Sequence, residues 1–302
     1  MRSTRVTLRQ LEYFVAAADT GTMSGAAEGL LISQSAVSLA IAQLERALGA
    51  QLFLRHKARG LSLTPAGTHL LVEARRLLEH AGELETSVRS LGQELSGRLT
   101  IGSFPTLTPF LMPRILRELP RRHPGVSISF RDGSAAELQE WLLGGLCEVA
   151  LTYDIGIGPG IATISLYRMR PHILVAADHP LAAHPTVYLR EVAEYPAIMI
   201  DYPPNEEWFT QLFVRAGITP DVSHRAVDFE SVRALVARGI GWSVLAQRPS
   251  IEVSYENLPL VMLEIRDEVP DVGVVLATPE SARLTQRARA FIDFCRDEFA
   301  PT

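Results

Sequence analysis

Cysteine is nearly absent from these 302 residues. Cys147 and Cys295 stand far apart and without metal-ligand spacing, so neither a disulfide framework nor a zinc site is indicated. Lysine is scarcer still: Lys57 is the only one, and arginine carries almost all the positive charge, which suits phosphate and guanine contacts. No run approaches the roughly 18 apolar residues that span a bilayer, and Met1 to Leu11 has arginines but no apolar signal-peptide segment. A soluble, cytoplasmic protein with no membrane partner is therefore expected. With 47% hydrophobic and 21% charged residues, the chain can bury a sizeable core, and its length suggests about two domains.

Negative charge is scarce in one place. The chain carries a net charge of −5, yet residues 1–65 hold seven Lys/Arg against four acids, a net of +3, which leaves −8 for the remainder. Such asymmetry fits a DNA-binding module joined to one that does not bind DNA, because affinity arises where phosphates are neutralised.

The N-terminal segment reads as three helices and a hairpin. Thr7-Leu8-Arg9-Gln10 has capping-box spacing, and Leu11, Phe14, Val15 and Ala18 follow on one helical face that stops before Gly21. Ser24 is the expected cap of a short second helix through Leu31, with a turn at Ile32. Ser33 is the expected cap of a third, with Val37, Ile41, Leu44 and Leu48 on one face and Gly49 as its stop. The opposite face carries Ser35, Ser38, Leu39, Ala42 and Arg46, with Gln34 at the N-terminus. A major groove admits a helix whose exposed face is not bulky, and Gln or Ser there can bond base edges; the same face would equally serve as an ordinary solvated surface.

The segment as a whole decides between them. Leu8-Arg9-Gln10-Leu11, Met23-Ser24-Gly25-Ala26-Ala27, Ser33-Gln34-Ser35-Ala36-Val37-Ser38, Gln43-Leu44-Glu45, Leu48-Gly49, Leu52-Phe53-Leu54-Arg55 and Leu63-Thr64-Pro65-Ala66-Gly67 occur in that order. This series resembles the DNA-binding domain of LysR-type transcriptional regulators over about 60 residues. The resemblance implies a winged helix-turn-helix over 1–65 and a double-stranded DNA operator as partner. Ser33, Gln34, Ser35, Ser38 and Leu39 lie on or beside its recognition helix. Its wing, Leu52 to Thr64, would turn near Arg59-Gly60 and place Arg55, Lys57 and Arg59 on phosphates or in the minor groove. Two positions depart from the family pattern: Ser35 replaces a usual proline and Leu39 a frequent arginine.

Beyond Pro65, Leu70, Ala74, Leu77, Ala81, Leu84, Val88, Leu91 and Leu95 alternate in steps of four and three, a heptad seam that predicts a long linker helix over 66–96 ended by Gly97. Pairing with a second copy is preferred over packing on a domain, since a dimer reads a symmetric operator. Family resemblance adds a dimer of dimers that bends DNA, and RNA polymerase as a further partner.

From Arg98 the pattern becomes α/β. Strand-like Leu99 to Ser103, Val126 to Phe130 and Val149 to Thr152 alternate with helical 109–119 and 134–143, which reads as βαβαβ with a largely parallel sheet. Later strands are expected at 172–177, 197–200, 222–226, 241–245 and 272–277, and helices at 205–216, 229–238 and 280–297. The pattern resembles the two-lobed periplasmic-binding-protein-like effector domain of LysR regulators, over 97–302. Lobe I would take about 97–164 and 266–302, lobe II about 165–265, with crossings near Ala162 to Leu166 and Leu263 to Asp267.

A small-molecule effector would lie between the lobes, where strand C-termini and helix N-termini gather. That rule nominates Ser103, Phe104 and Thr106 after the first strand, and Thr152, Tyr153 and Asp154 at the end of the third. It also nominates Tyr202 and Asn205 before one helix, and Phe229, Glu230 and Ser231 at the start of another. Phe104, Tyr153, Tyr202 and Phe229 suit a ligand with an apolar or planar part and a polar or carboxylate end, whereas Asp154 and Glu230 would select a cationic one.

An enzyme is not expected. Gly-x-Ser-x-Gly, His-Glu-x-x-His, a P-loop and a strand-to-helix Gly-x-Gly-x-x-Gly are all missing, and Gly156 to Gly160 contains Pro159 and opens no clear helix. His172 and His224 fall on predicted strands, and His123, His179 and His184 adjoin prolines in loops, so no metal cluster and no cofactor are expected. A transport solute-binding protein fits the C-terminal half alone. A peroxide sensor working through Cys147 and Cys295 competes with the reading of both as buried, inert thiols.

Overall fold

The protein is described from a computed structural model, over residues 6–56, 60–89, 95–280 and 282–299. The local signals at the N-terminus set its first elements. Helix α1 (Leu8–Thr20) begins at the expected capping box: Thr7 Oγ1 accepts the Gln10 N–H at 3.2 Å and Gln10 Oε1 accepts the Thr7 N–H at 3.0 Å. Helix α2 (Met23–Gly29) is capped by Thr22, whose hydroxyl accepts the Gly25 N–H at 3.0 Å, and not by Ser24. It also ends before Leu31, which sits at φ 55 in the turn. Helix α3 (Gln34–Leu48) starts at Ser33, which accepts the Ala36 N–H, and stops at left-handed Gly49.

Phe14, Ala26, Val37, Ile41 and Leu44 of these helices are fully buried together, each large side chain contributing about 1.5–3 kcal/mol. Leu48, expected on the same face, is 43% exposed, because α3 reaches past the bundle at its last turn.

Strands β1 (Phe53–His56) and β2 (Gly60–Leu63) pair antiparallel as the wing. Gly60 has φ +78, and a Cβ there would lie 2.5 Å from the Gly21 carbonyl oxygen, which accepts the Leu61 N–H at 2.8 Å. The wing is therefore pinned to the end of α1, and only glycine fits the join.

Helix α4 (Pro65–Arg89) extends about 37 Å at 1.5 Å per residue. Of the heptad seam, Leu70 and Ala74 pack on the N-terminal core, whereas Leu77 and Leu84 are 50% and 67% exposed. Leu91 and the Val88 side chain lie outside the described residues. The expectation of a helix continuing to Gly97 is corrected: Ser96 and Gly97 already belong to strand β3 (Ser96–Ser103).

The C-terminal half is two α/β lobes. In chain order β3 is followed by α5 (Thr108–Arg122), β4 (Gly125–Asp132), α6 (Ala135–Leu143), β5 (Val149–Tyr153) and β6 (Ile161–Met169). The second lobe holds β7 (His172–Ala176), β8 (Thr186–Val187), α7 (Leu189–Val192), β9 (Ala197–Ile200), α8 (Asn205–Arg215), β10 (Val222–Ala226), α9 (Phe229–Ala237), β11 (Ser243–Leu245) and β12 (Leu260–Ile265). The chain then returns through β13 (Val272–Pro279) and ends in α10 (Gln286–Phe299).

Lobe I is a five-stranded sheet of order β4-β3-β5-β13-β6, with β3 parallel to β4 and β5, and β13 antiparallel to both β5 and β6. Lobe II has the order β11-β7-β12-β8, with the parallel pair β10-β9 joined to it through an Ala197–Trp242 bridge beside β11. All residues of β5, β7 and β13 are buried, as strands covered on both faces require.

The first crossing was expected at 162–166, but those residues lie inside β6, paired with β13 from Ile161 to Met169. The chain therefore leaves lobe I after Met169 and returns between Ile265 and Val272. Strands β6, β8 and β12 were not anticipated, and α10 begins at Gln286 rather than 280, where Thr285 Oγ1 accepts the Ala288 N–H at 3.1 Å. Among the described residues, no single helix is long and apolar enough to cross a membrane.

Candidate functional site: a groove-reading face and a cleft

The outward face of α3 carries exposed Gln34 and Ser35, half-buried Ser38, and Leu39 at 56% exposure, with Ala42 one turn further on. Ser33 and Ser35 hydroxyls lie 3.0 Å apart at the helix start. Leu39 is the one sizeable side chain between Ser35, Ser38 and Ala42, so it projects beyond its neighbours. Arg55 is exposed on the first wing strand. Lys57 and Arg59 connect the wing strands and lie outside the described residues.

A second site opens between the lobes as a cleft. Lobe I supplies Thr106, Tyr153 and Ile155; lobe II supplies Met199, Trp208, Phe209 and Phe229. Val244 to Gln247, at and after the end of β11, complete the far wall. Three of the nominated residues, Thr106, Tyr153 and Phe229, thus come together from strand and helix ends distant in sequence.

Their polar atoms form one chain: Thr106 Oγ1 is 2.8 Å from the Tyr153 hydroxyl, which accepts a hydrogen bond from Gln247 Nε2 at 3.3 Å. Burial pushes the Tyr153 phenol up to about 12, so it stays protonated. Phe110 of lobe I meets Phe229 of lobe II edge-on at 6.0 Å. The lobes therefore touch beside the same cavity through the Gln247–Tyr153 hydrogen bond and the Phe110–Phe229 and Phe104–Tyr202 ring pairs.

The other nominated residues have other duties. Phe104 is fully buried behind the wall, its ring held edge-on to Tyr153 at 5.3 Å and to Tyr202 at 5.4 Å. Ser103 is fully buried with its hydroxyl oxygen 2.7 Å from that of Thr108, and Thr152 is buried in β5 opposite Val275. Asp154 does not line the cavity: it holds Arg168 at 2.8 Å and accepts the Gly273 N–H at 2.8 Å. Glu230 pairs with Arg233 at 2.9 Å, and Ser231 is bonded to Asp228, the cap of α9. Asn205 opens α8, and its side chain lies outside the described residues.

Gln247, Ala246, Met199, Trp208 and Phe209 were missed. The strand-end rule reaches Gln247 once β11 is seen to stop at Leu245, whereas Trp208 and Phe209 look like the core stripe of an amphipathic helix.

Comparison with known proteins joins the two sites. Residues 8–68 match the family model "Bacterial regulatory helix-turn-helix protein, lysR family", and residues 92–300 match "LysR substrate binding domain". The chain is 29% identical over 299 residues to the HTH-type transcriptional regulator YvbU of Bacillus subtilis, covering 97% of this chain and 99% of that protein. It is similar to the crystal structure of HinK, a LysR family transcriptional regulator from Pseudomonas aeruginosa, at 34% identity and TM-score 0.66 over 98% of this chain and 99% of that one. The C-terminal domain of a probable LysR family regulator from Rhodococcus sp. RHA1 is 36% identical with TM-score 0.65, over 67% of this chain and 99% of that one. With a helix-turn-helix at its start and a two-lobed substrate-binding domain over two thirds of its length, the chain belongs to the LysR family of DNA-binding transcriptional regulators and is not an enzyme.

Proposed function

We propose that Gln34, Ser35, Ser38 and Leu39 read base edges in the major groove, while Ser33 at the helix start and Arg55, Lys57 and Arg59 of the wing hold the backbone or minor groove. The capped, outward stripe of short side chains on α3 carries this reading. Leu39 can neither donate nor accept a hydrogen bond, and the thymine 5-methyl is the apolar feature of the major-groove edge, so Leu39 selects thymine where arginine would select guanine. The exposed Leu77 and Leu84 on α4 support pairing with a second copy, and two such dimers would set four DNA-binding domains along a bent operator.

Domain limits follow the same reading: the winged helix-turn-helix to residue 64, the linker helix from 65, and the effector domain from 96. Thr106, Tyr153, Phe229 and Gln247 contact the effector, with Tyr202 and Phe104 behind them. Ligand bound there favours one arrangement of the lobes across the Tyr153–Gln247 and Phe110–Phe229 contacts. A coupling of about 1–3 kcal/mol then changes how dimers sit on DNA and what they present to RNA polymerase.

Selection from randomised duplex DNA at two salt concentrations tests the DNA reading. An interrupted palindrome should emerge, with binding that weakens steeply as salt rises. Ser38→Glu should abolish the preference, whereas Arg55→Ala should weaken specific and random DNA alike and flatten the salt slope. Equal losses on both DNAs for both variants would overturn the division of roles.

A further inference from the structure

The charge of the inter-lobe cleft bears on what it can hold. Among the described residues, every side chain lining it is apolar, aromatic or a neutral hydrogen-bonding group. Two-lobed α/β clefts can hold an anionic ligand on free helix N-termini, whose N–H groups and dipole favour negative charge. Here a carboxylate of the protein caps α9, two lie in the first turn of α8, and one sits beside the first residue of α5. At α5 the Thr108 hydroxyl donates to Asp132. At α8 Glu206 and Glu207 occupy the first turn. At α9 Asp228 takes the Ser231 N–H at 2.7 Å, with Glu230 in the turn above.

The nearby acids are engaged as well, so they offer a cationic ligand little. Asp154 is held by Arg168 and the Gly273 N–H, and Glu230 by Arg233 at 2.9 Å. A charge entering this aromatic cavity would lose its hydration without gaining a counter-charge, so its transfer from water is unfavourable.

From this geometry we infer that the effector is an uncharged, ring-bearing molecule with a hydrogen-bonding group that engages Gln247, Tyr153 and Thr106. The inference rests on the cleft being the effector site. Trp208, Phe209 and Phe229 supply the apolar faces against which a ring would lie. The Gln247 amide both donates and accepts, so it can exchange its bond to the Tyr153 hydroxyl for one to an amide, alcohol or ketone. That exchange would place ligand recognition on a contact that joins the two lobes.

The test is calorimetric titration of the full chain with two sets of probes matched in shape and differing in charge. One set is benzamide, benzoate and benzylamine; the other is indole-3-acetamide, indole-3-acetate and tryptamine. At least one amide is expected to bind ten times more tightly than both of its charged partners, a difference of about 1.4 kcal/mol. A charged probe that equals or beats its amide overturns the inference, and so does failure of both amides to bind.

Two variants separate this outcome from failure of the cleft itself. Gln247→Glu keeps the shape and adds a negative charge, so amide affinity should fall and amine affinity rise, an inversion that mere loss of packing would not produce. Thr106→Val is the milder companion and should weaken the amide several-fold with the charge order unchanged. If the amide binds as tightly to both variants as to the unaltered chain, the ligand sits elsewhere, and it is the assignment of the cleft that fails.

Discussion

The guanidinium of Arg75, on the linker helix, donates to the carbonyl oxygen of Gly144 in lobe I at 2.9 Å. The same side chain forms an ion pair with Asp19 at the end of α1, so one arginine ties DNA-binding domain, linker and effector domain at a single point. Arg75 is 11% exposed and Asp19 48%, so the two ends of this contact differ in worth. Arg75→Ala should cost about 2 kcal/mol, the usual loss for a hydrogen bond from a charged group, whereas Asp19→Ala should cost under about 1 kcal/mol because water screens an exposed partner. Urea denaturation of both variants checks the order; an equal or larger loss for Asp19→Ala would contradict it.

A second joint lies close by. Glu148 and Arg287 meet at 2.9 Å, both nearly fully buried, with Thr285 also donating to Glu148 and Glu79 of the linker helix 3.8 Å from Arg287. Glu148→Ala takes its 2.9 Å carboxylate partner from a buried guanidinium and should destabilise the chain by about 3 kcal/mol, read as a drop in melting temperature. Replacing both residues by apolar ones of similar size, Glu148→Leu with Arg287→Met, should recover most of that loss.

His172, at the start of β7, is buried, and removal from water, reinforced by the positive charge of Arg248, lowers its pKa from 6.5 to about 3. The unfolded chain binds this proton near pH 6.5 and the folded chain does not, so the stabilisation is fully present above 6.5 and is lost as pH falls from 6.5 toward 3. Between pH 7 and pH 5 the expected loss is about 2 kcal/mol, at about 1.4 kcal/mol per pH unit below 6.5. Denaturation curves at the two pH values measure it, and in His172→Gln this contribution should vanish.

Cys147 and Cys295 are both buried. Burial pushes the Cys147 thiol up to about 11 and raises that of Cys295 further. A thiol held protonated is a poor nucleophile, so neither should react with a disulfide reagent at pH 8 in the folded chain, and both should react in guanidinium. Rapid labelling of the native protein would reopen a redox role.

On the selected operator, replacing each thymine in turn by deoxyuridine removes only the 5-methyl group. At the position read by Leu39 this should weaken binding about 5-fold, equivalent to about 1 kcal/mol, and Leu39→Ala should make the protein indifferent to the change. Indifference of the unaltered chain at every thymine would remove Leu39 from the readout.

Much of the fold is written locally. Thr7 and Gln10, or Ser33 and Ala36, bond across three residues, so the starts of α1 and α3 are legible without any tertiary contact. Ser24 misled because Thr22, two residues earlier, is an equally good oxygen and is the one with extended backbone. Strand β6 was lost for a different reason: its outward residues alternate only weakly, and what makes it a strand is pairing with β13, more than a hundred residues later.

The amino-acid sequence by itself determined the caps of α1 and α3, the outward stripe of short side chains on α3 and the alternation of strands with helices, because hydrogen bonds and periodicity that span a few residues need no partner from elsewhere. Tertiary structure alone decided which residues wall the cleft and how they are charged. Gln247 reaches Tyr153 across 94 positions, and Asp132 reaches Thr108 across 24. Such meetings depend on where each crossover returns the chain, and no local propensity encodes that.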